Sequence, residues 1–254
     1  MQRNGCWFCL SNPSVEEHLV ISIGEHYYLA LAKGGLTPEH MLIVPIEHAA
    51  TLEPKSPESP SYAELTRFMN ALIKCYQKKG MDVIFWERKL DTSHSSSAAG
   101  SDKNHAALQA LPLPSASFKA IQSGFDSQLE HFGLLFLDLD THQLVSSVTG
   151  TTGYLFADIP TFASSSGPSD PSQESSSTSD DAKLPVIAAR KRVVAVIPDK
   201  KRVPLQLPRK VIATALEQPQ REDWKACVLS REEEEQACSN VKEDFGPFDF
   251  TFQS

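Results

Sequence analysis

Two cysteines near the start of the chain and two distant histidines have the residue types of a metal site. Cys6 and Cys9 form a C-x2-C pair. His48 closes the strand-like apolar run that begins at His40, and His105 opens a later one. Two thiolates and two imidazoles are a ligand set of closed tetrahedral zinc sites. The residue types therefore indicate one structural zinc ion.

Spacing over such distances does not identify ligands, so other interpretations of the same residues stay open. The ends of neighbouring strands, about 4.8 Å apart, can converge on one ion. However, His48 could equally cap a turn, and His105 could be an ordinary residue at a strand edge. His40 is a substitute candidate ligand.

The remaining cysteines do not extend this chemistry. Cys75, Cys227 and Cys238 occur in apolar or amphipathic contexts, which is typical of buried thiols. The odd total of five cysteines favours a reducing compartment over a disulfide framework. No local Ser/His/Asp arrangement or Gly-rich phosphate loop is visible in the sequence.

The elements that would position the four residues follow an α+β order. Residues 27–31 and 41–44 form short apolar runs, and residues 83–88 and the run after His105 form two more. Between them, Ser61 and Glu64 predict a capping box for an amphipathic helix that ends near Gly80. The pattern predicts a mostly antiparallel sheet with a helix on one face.

The second half continues the alternation. Strand-like runs occupy residues 183–197, and residues 208–216 predict a short helix. Ser230 and Glu233 predict a second capping box. The closing aromatic stretch, residues 245–252, predicts an edge strand docked on the core.

Three polar segments are predicted to be disordered insertions. They are the Pro- and Ser-rich residues 53–60, the Ser-rich residues 91–104, and residues 161–181, with nine serines in 21 positions. None has enough apolar surface to offset the conformational entropy lost on ordering.

Charge is unevenly distributed in a chain of net charge −8. Residues 183–210 hold nine basic residues and one acid, whereas residues 217–249 hold ten acids and four bases. The basic segment could meet phosphates or form the solvated face of a sheet. No stretch approaches the roughly 18 apolar residues that a membrane helix requires, so no membrane association is expected.

Several sequence blocks together resemble one known family. The chain resembles the C-terminal portion of CwfJ proteins, the CWF-nineteen-like splicing-associated members of the histidine-triad (HIT) superfamily. The similarity covers nearly the whole chain apart from the insertions, and the blocks that carry it are Cys6–Ser11, His40–His48, Gln109–Pro114, Gly153–Pro160, Val203–Val211, Asp223–Cys227 and Phe245–Thr251.

This resemblance implies a fold and a ligand set. The expected fold is α+β, a HIT-like antiparallel sheet with flanking helices plus a smaller C-terminal α+β extension. Residues 1–125 would form the zinc-containing HIT-like domain, and residues 126–254 the second region. The zinc ligands of related enzymes would correspond to Cys6, Cys9, His48 and His105.

The resemblance also implies that the chain is not an enzyme. In HIT enzymes the middle histidine of a His-x-His-x-Gln motif is the nucleophile, and here that position is Ala107. A methyl group cannot attack phosphorus. Gln109 keeps the third position and could still bind a phosphate. The alternatives are a hydrolase or nucleotidyl transferase that uses another base, and a purely structural protein–protein adaptor.

The expected role is nuclear, in pre-mRNA splicing, spliceosome remodelling or intron-lariat turnover. Partners would be RNA, spliceosomal proteins or lariat-debranching proteins. Two basic triplets within the basic segment could instead act as a nuclear import signal. The candidate phosphate contacts besides Gln109 are Lys183, Arg190, Lys191, Arg192, Lys200, Lys201 and Arg202.

Overall fold

A computed structural model describes residues 6–52, 58–90, 105–139, 153–162, 187–198 and 201–252. The insertion at 91–104 and most of that at 161–181 lie outside the described residues, so their predicted disorder stays a prediction. The helices are α1 (Pro60–Gln77), α2 (Ser117–His131), α3 (Leu207–Ala215) and α4 (Arg231–Phe245). The strands are β1 (Val20–Ile23), β2 (Tyr27–Leu31), β3 (Met41–Pro45), β4 (Met81–Lys89), β5 (Leu108–Pro114), β6 (Leu137–Asp138), β7 (Gly153–Phe162) and β8 (Ile187–Ile197).

The eight strands of the described residues form one antiparallel sheet, in the order β1-β2-β3-β5-β4-β7-β8-β6. The predicted α+β fold, an antiparallel sheet with flanking helices, is confirmed. The second half of the chain extends the sheet of the first half, since β4 pairs with β7 in the register Phe85↔Asp158. The two predicted regions therefore share one sheet.

Side chains alternate between the two faces of the sheet, and each face has its own helical cover. On one face, Phe68 of α1 and Phe245 of α4 pack with Phe85 of β4 in one buried cluster. On the other, Phe125 of α2 and Ile212 of α3 join a second cluster. The helix predicted among the first strands, α1, covers one face, and the later helices cover both faces.

The start of α1 differs from the prediction. Its N-cap is Ser59, whose side chain accepts from the N–H of Tyr62, so the helix begins inside the predicted 53–60 insertion. The Glu64 carboxylate accepts instead from backbone N–H groups of the β1–β2 turn, including those of His26 and Tyr27. The predicted Ser61–Glu64 capping box is therefore wrong, because the Glu64 carboxylate bonds the β1–β2 turn instead.

The C-terminal aromatic segment packs on the core, but the predicted edge strand is wrong. Residues 246–248 and 250–252 form 3-10 turns. Phe250 packs against Phe68 with ring centroids 4.7 Å apart, and the Arg67 guanidinium lies 4.0 Å from the Phe250 ring centroid. Pro247 has no backbone N–H for a ladder, which favours turns over a strand. Similarly, β7 continues to Phe162, past the predicted start of the third insertion.

Among the described residues, no helix combines the length and apolar character needed to cross a bilayer.

Candidate metal centre

The two cysteines lie in a tight turn that Asn12 holds together. The Asn12 side-chain amide donates to the Cys6 carbonyl over 2.7 Å, and its backbone N–H donates to the Cys9 carbonyl over 2.8 Å. Both cysteines are 5% exposed. The Tyr28 hydroxyl donates to the Phe8 carbonyl over 2.7 Å, which attaches the turn to β2. Sequence reasoning missed Asn12, since nothing in the local pattern marks a side chain that orients a C-x2-C turn.

The sheet brings the two histidines to the same place. His48 follows the end of β3 and His105 precedes the start of β5, and these strands are antiparallel neighbours. The end of β3 and the start of β5 therefore lie side by side at the same end of these two inner strands. The Ala106 N–H donates to the Ala49 carbonyl over 2.7 Å, which joins the two segments beside the site.

Four potential ligand atoms converge on one point. One atom from each of Cys6, Cys9, His48 and His105 lies within 4.8 Å of all the others. The His105 Nδ1 is 3.3 Å from the Cys6 Sγ and 3.7 Å from the Cys9 Sγ, and the His48 Nδ1 is 3.2 Å from the Cys9 Sγ. A tetrahedral zinc ion with ordinary bond lengths separates sulfur from nitrogen by about 3.6 Å. The donor set and its spacing fit such an ion.

The hydrogen bond of His105 prepares it to bind a metal. Its Nε2 lies 2.8 Å from the Pro45 carbonyl, which can only accept, so Nε2 carries the proton and Nδ1 offers its lone pair to the site. Burial lowers the pKa of His105, and nearby His48 lowers it further against the opposing effect of the carbonyl. A neutral imidazole with one nitrogen anchored to a carbonyl is the usual form of a metal ligand.

His40, the substitute candidate, lies outside this group. Its Nδ1 accepts from the Leu36 N–H over 3.1 Å, and its ring centroid is 5.2 Å from that of Trp86. Burial, followed by the charge of Arg209, lowers its pKa to about 3, while the nearby Gln109 side chain acts in the opposite direction. His40 is a neutral residue that supports the loop before β3.

Ala107 and Gln109 lie on the sheet face that carries α2 and α3. Ala107 packs against a small apolar cluster that includes Tyr28 and Leu42. Gln109 is half-buried on β5, opposite Leu42 and Trp86. The methyl group of Ala107 therefore contacts apolar side chains, and its position contains no group that could attack phosphorus.

The basic segment does not present all of its charges to solvent. Arg190 donates to Asp158 and to Asp82, over 2.7 Å in each case, and to the Val83 carbonyl. Arg192 donates to the second Asp158 oxygen over 2.9 Å. Both aspartates are fully buried. These two arginines neutralise carboxylates inside the protein, which removes them from the candidate phosphate contacts.

The other predicted contacts differ in their surroundings. Lys191 is on the opposite face of β8 and pairs with exposed Asp138 over 3.1 Å. Lys201 and Arg202 are exposed. Lys183 and Lys200 lie outside the described residues.

The fold and the site together define an α+β protein with a Cys2His2 group that could bind a metal ion. The family described as "Protein similar to CwfJ C-terminal" matches residues 1–126, and "Protein similar to CwfJ C-terminus 2" matches residues 177–251. The chain belongs to this family, as its sequence blocks predicted.

Curated relatives agree over nearly the full chain. Zinc finger CCCH domain-containing protein 64 of Arabidopsis thaliana is 32% identical over 96% of the chain. CWF19-like protein 1 of Xenopus laevis is 32% identical over 98%. The chain spans only 35% and 39% of the length of these two relatives. Among solved structures, yeast Ap4A phosphorylase Apa2 in complex with AMP aligns over 74% of this chain and 64% of its own, with 16% identity and a TM-score of 0.36.

Proposed function

We propose that this chain is a zinc-stabilised, non-catalytic module that binds RNA or protein in pre-mRNA splicing, spliceosome remodelling or intron-lariat turnover. The observation that supports the proposal most strongly is the convergence of four ligand atoms beside a strand that has alanine at the position of the nucleophile. Membership of the CwfJ family supports the splicing context and, with it, a nuclear location.

The ligand set supports zinc in a structural role. Two thiolates and two imidazoles fill all four positions of a tetrahedral ion and leave no position open for water or substrate. Cys6 and Cys9 would connect the N-terminal turn, through the ion, to the segments after β3 and before β5. The ion would therefore attach the N-terminal turn, whose Phe8 and Leu10 pack on the sheet, to the ends of β3 and β5.

The residues around Ala107 support the absence of nucleotidyl-transfer chemistry. His105 cannot replace the missing nucleophile, because Nε2 is bonded to the Pro45 carbonyl and Nδ1 faces the sulfurs. His40 is buried and bound to the loop backbone through Nδ1. The third position of the motif keeps Gln109, which can donate a hydrogen bond but cannot form a covalent intermediate.

Solvent-exposed basic residues support contact with phosphates. Lys201 and Arg202 project from the segment that precedes α3. No ion pair holds either of them among the described residues, whereas Lys191 has Asp138 as a partner. If these residues contact phosphates, the affinity for RNA falls as the salt concentration rises, and each charge adds a predictable increment to that dependence.

Metal content and stability test the zinc proposal together. Native mass spectrometry of the purified chain should find about one zinc ion, and Cys6→Ser should lose it with a large drop in melting temperature. Cys75→Ser is the matched control, because Cys75 is equally buried but lies on α1, outside the ligand group. Equal zinc content and melting temperature in the two variants would contradict the assignment.

Two binding and activity assays separate the remaining possibilities. The double variant Lys201→Glu, Arg202→Glu should bind single-stranded RNA more weakly and with a smaller salt dependence. Lys191→Glu should change the affinity and its salt dependence less. A chain that binds no RNA at low salt would instead be a protein–protein adaptor. Turnover of dinucleoside polyphosphates or nucleoside phosphoramidates, abolished by Gln109→Ala, would instead establish an enzyme.

A further inference from the structure

The candidate metal centre and the exposed basic residues lie at the same end of the sheet. β5 runs antiparallel to β4, β4 to β7, and β7 to β8, with Gly153 at the start of β7 opposite Ile197 at the end of β8. The ends of β4 and β8 are therefore at the same end as the end of β3, beside which the four potential ligands converge. Four strand spacings, about 19 Å in all, separate β3 from β8. Lys201 and Arg202 follow β8 and are exposed.

Trp7 lies in the cysteine turn at this end of the sheet. It is 69% exposed, whereas Cys6 and Cys9, which flank it in the turn, are 5% exposed. Its indole has no hydrogen bond or ring contact among the described residues. The hydrogen bonds that Asn12 and Tyr28 donate to carbonyls of the turn fix its backbone. Single exposed apolar residues are common on protein surfaces, but an aromatic ring on a fixed turn offers a flat face that needs little ordering to bind a ligand.

Arg88, near the end of β4, carries a positive charge that no carboxylate of the described residues neutralises. Its half-buried guanidinium donates to the carbonyl of Lys89, to that of Tyr154 over 3.2 Å and to that of Val203 over 3.4 Å. Burial lowers the pKa of Arg88 to about 10. The two arginines of β8, by contrast, have a buried carboxylate as partner. Because carbonyl groups have no net charge, an approaching anion would stabilise the Arg88 guanidinium.

The same face of the sheet carries Arg88 and the cysteine turn. Arg88 is two residues beyond Trp86, a member of the cluster under α2 and α3, so side-chain alternation places both residues on that face. Phe8 of the turn packs on this face too, with the small apolar cluster beside the metal centre. The carbonyl that Arg88 bonds in Val203 directly follows Arg202, which places the guanidinium beside the exposed cations. One face, at one end of the sheet, therefore combines an exposed indole with three cations.

We propose that single-stranded RNA crosses this end of the sheet, with one base stacked on Trp7 and a phosphate bound beside Arg88. Proteins that bind single strands combine aromatic rings, on which bases stack, with cations along the path of the backbone. An acidic peptide would meet the cations but has no planar base to cover the indole. The inference rests on the proposed RNA-binding function and adds Trp7 and Arg88 to the contacts that Lys201 and Arg202 make.

Fluorescence anisotropy with an end-labelled single-stranded RNA of about 12 nucleotides tests the stacking contact. Trp7→Ala should bind about tenfold or more weakly, with an unchanged salt dependence because no charge is removed. Trp7→Phe keeps a ring and should retain most of the affinity, and both variants should keep the metal content of the parent chain. The control is Phe252→Ala, because Phe252 is 81% exposed and follows Phe250, which packs on α1 at the opposite face. A Trp7→Ala chain that binds RNA like the parent would overturn the proposal.

The salt dependence of the same assay tests the phosphate contact. Arg88→Gln should reduce the slope of log affinity against log salt concentration by about 0.7, the contribution of one phosphate in a single strand. Arg88→Lys keeps the charge and should keep the slope. Arg67→Gln is the matched control, since Arg67 lies against Phe250 on the opposite face, and it should leave the slope unchanged. A folded Arg88→Gln chain with the slope of the parent would contradict the phosphate contact.

Photocrosslinking of the parent chain covers the case in which Arg88→Gln does not fold. Single-stranded RNA that contains 4-thiouridine should crosslink to residues 6–12 or 201–206, and crosslinks confined to α1 and α4 would refute the proposed path. A polyglutamate peptide that binds as tightly as RNA at the same salt concentration would assign the surface to an acidic protein instead. RNA binding that neither Trp7→Ala nor Arg88→Gln weakens would contradict only this surface, whereas no RNA binding at low salt would contradict the RNA-binding function as well.

Discussion

The buried carboxylate of Asp158 is the best place to test whether the basic segment is an internal feature of the fold. It is fully buried and accepts from the Nε of Arg190 over 2.7 Å and of Arg192 over 2.9 Å. Arg190 also pairs with Asp82, which is equally buried. Asp158→Asn keeps the shape of the side chain but removes the charge that both guanidinium groups pair with, and leaves Asp82 as a partner of Arg190.

The geometry sets the expected cost. Removing one partner from a fully buried ion pair typically costs about 3–5 kcal/mol. Here the arginine side chains are about one-fifth exposed, at 20% and 19%, so water compensates part of the loss. We therefore expect Asp158→Asn to lower the free energy of unfolding by about 2–3 kcal/mol.

Urea unfolding of the metal-loaded chain measures this change, and the same strand provides its control. Lys191 lies between the two arginines and pairs with Asp138, with side chains 43% and 76% exposed. Asp138→Asn should cost less than about 1 kcal/mol. Similar losses for the two variants would show that the buried Asp158 ion pairs stabilise the fold no more than an exposed one. So would an Arg192→Met variant that unfolds like the parent chain but binds RNA less tightly, since that arginine would then face phosphate.

Three further changes probe other parts of the molecule. Because burial holds the pKa of His40 near 3, the native state binds this proton less readily than the unfolded chain. Stability should therefore fall as pH drops below about 6.5, by up to about 1.4 kcal/mol per pH unit, and His40→Gln should flatten that slope in denaturant titrations. Gly34 has φ +63° and an added Cβ would lie 2.1 Å from the Trp224 carbonyl oxygen, so Gly34→Ala should cost about 2 kcal/mol or more by urea unfolding. The control is Gly246→Ala, because an added Cβ there has no atom within 4 Å, and it should change stability by less than about 1 kcal/mol. Ser230→Ala removes the N-cap of α4 and should cost about 1 kcal/mol; no loss in thermal denaturation would show that the cap does not contribute.

Local patterns predicted local structure well. The capping box of Ser230 and Glu233 is present as predicted, because both partners lie within one helical turn. Glu64 has the same spacing from Ser61, yet its carboxylate holds the β1–β2 turn. Spacing identifies which residues can form a capping box, but a competing tertiary partner decides whether they do.

The candidate site shows the same limit at longer range. The sequence supplied the four ligand types, and the antiparallel pairing of β3 with β5 brings the two histidines together. It could not show that Arg190 bonds Asp158, 32 residues away, and Asp82, 108 residues away. A basic run looks alike whether its charges face solvent or buried carboxylates. Only the register of β8 with β7 distinguishes these arrangements.

X-ray absorption at the zinc edge of the purified chain identifies the atoms that surround the metal. Four ligands from Cys6, Cys9, His48 and His105 predict two sulfur atoms at about 2.3 Å and two nitrogen atoms at about 2.0 Å around the metal. Cys9→Ser should reduce the sulfur shell or remove the metal. A chain that holds no zinc, or a zinc shell of oxygen atoms without sulfur, would contradict the Cys2His2 zinc site.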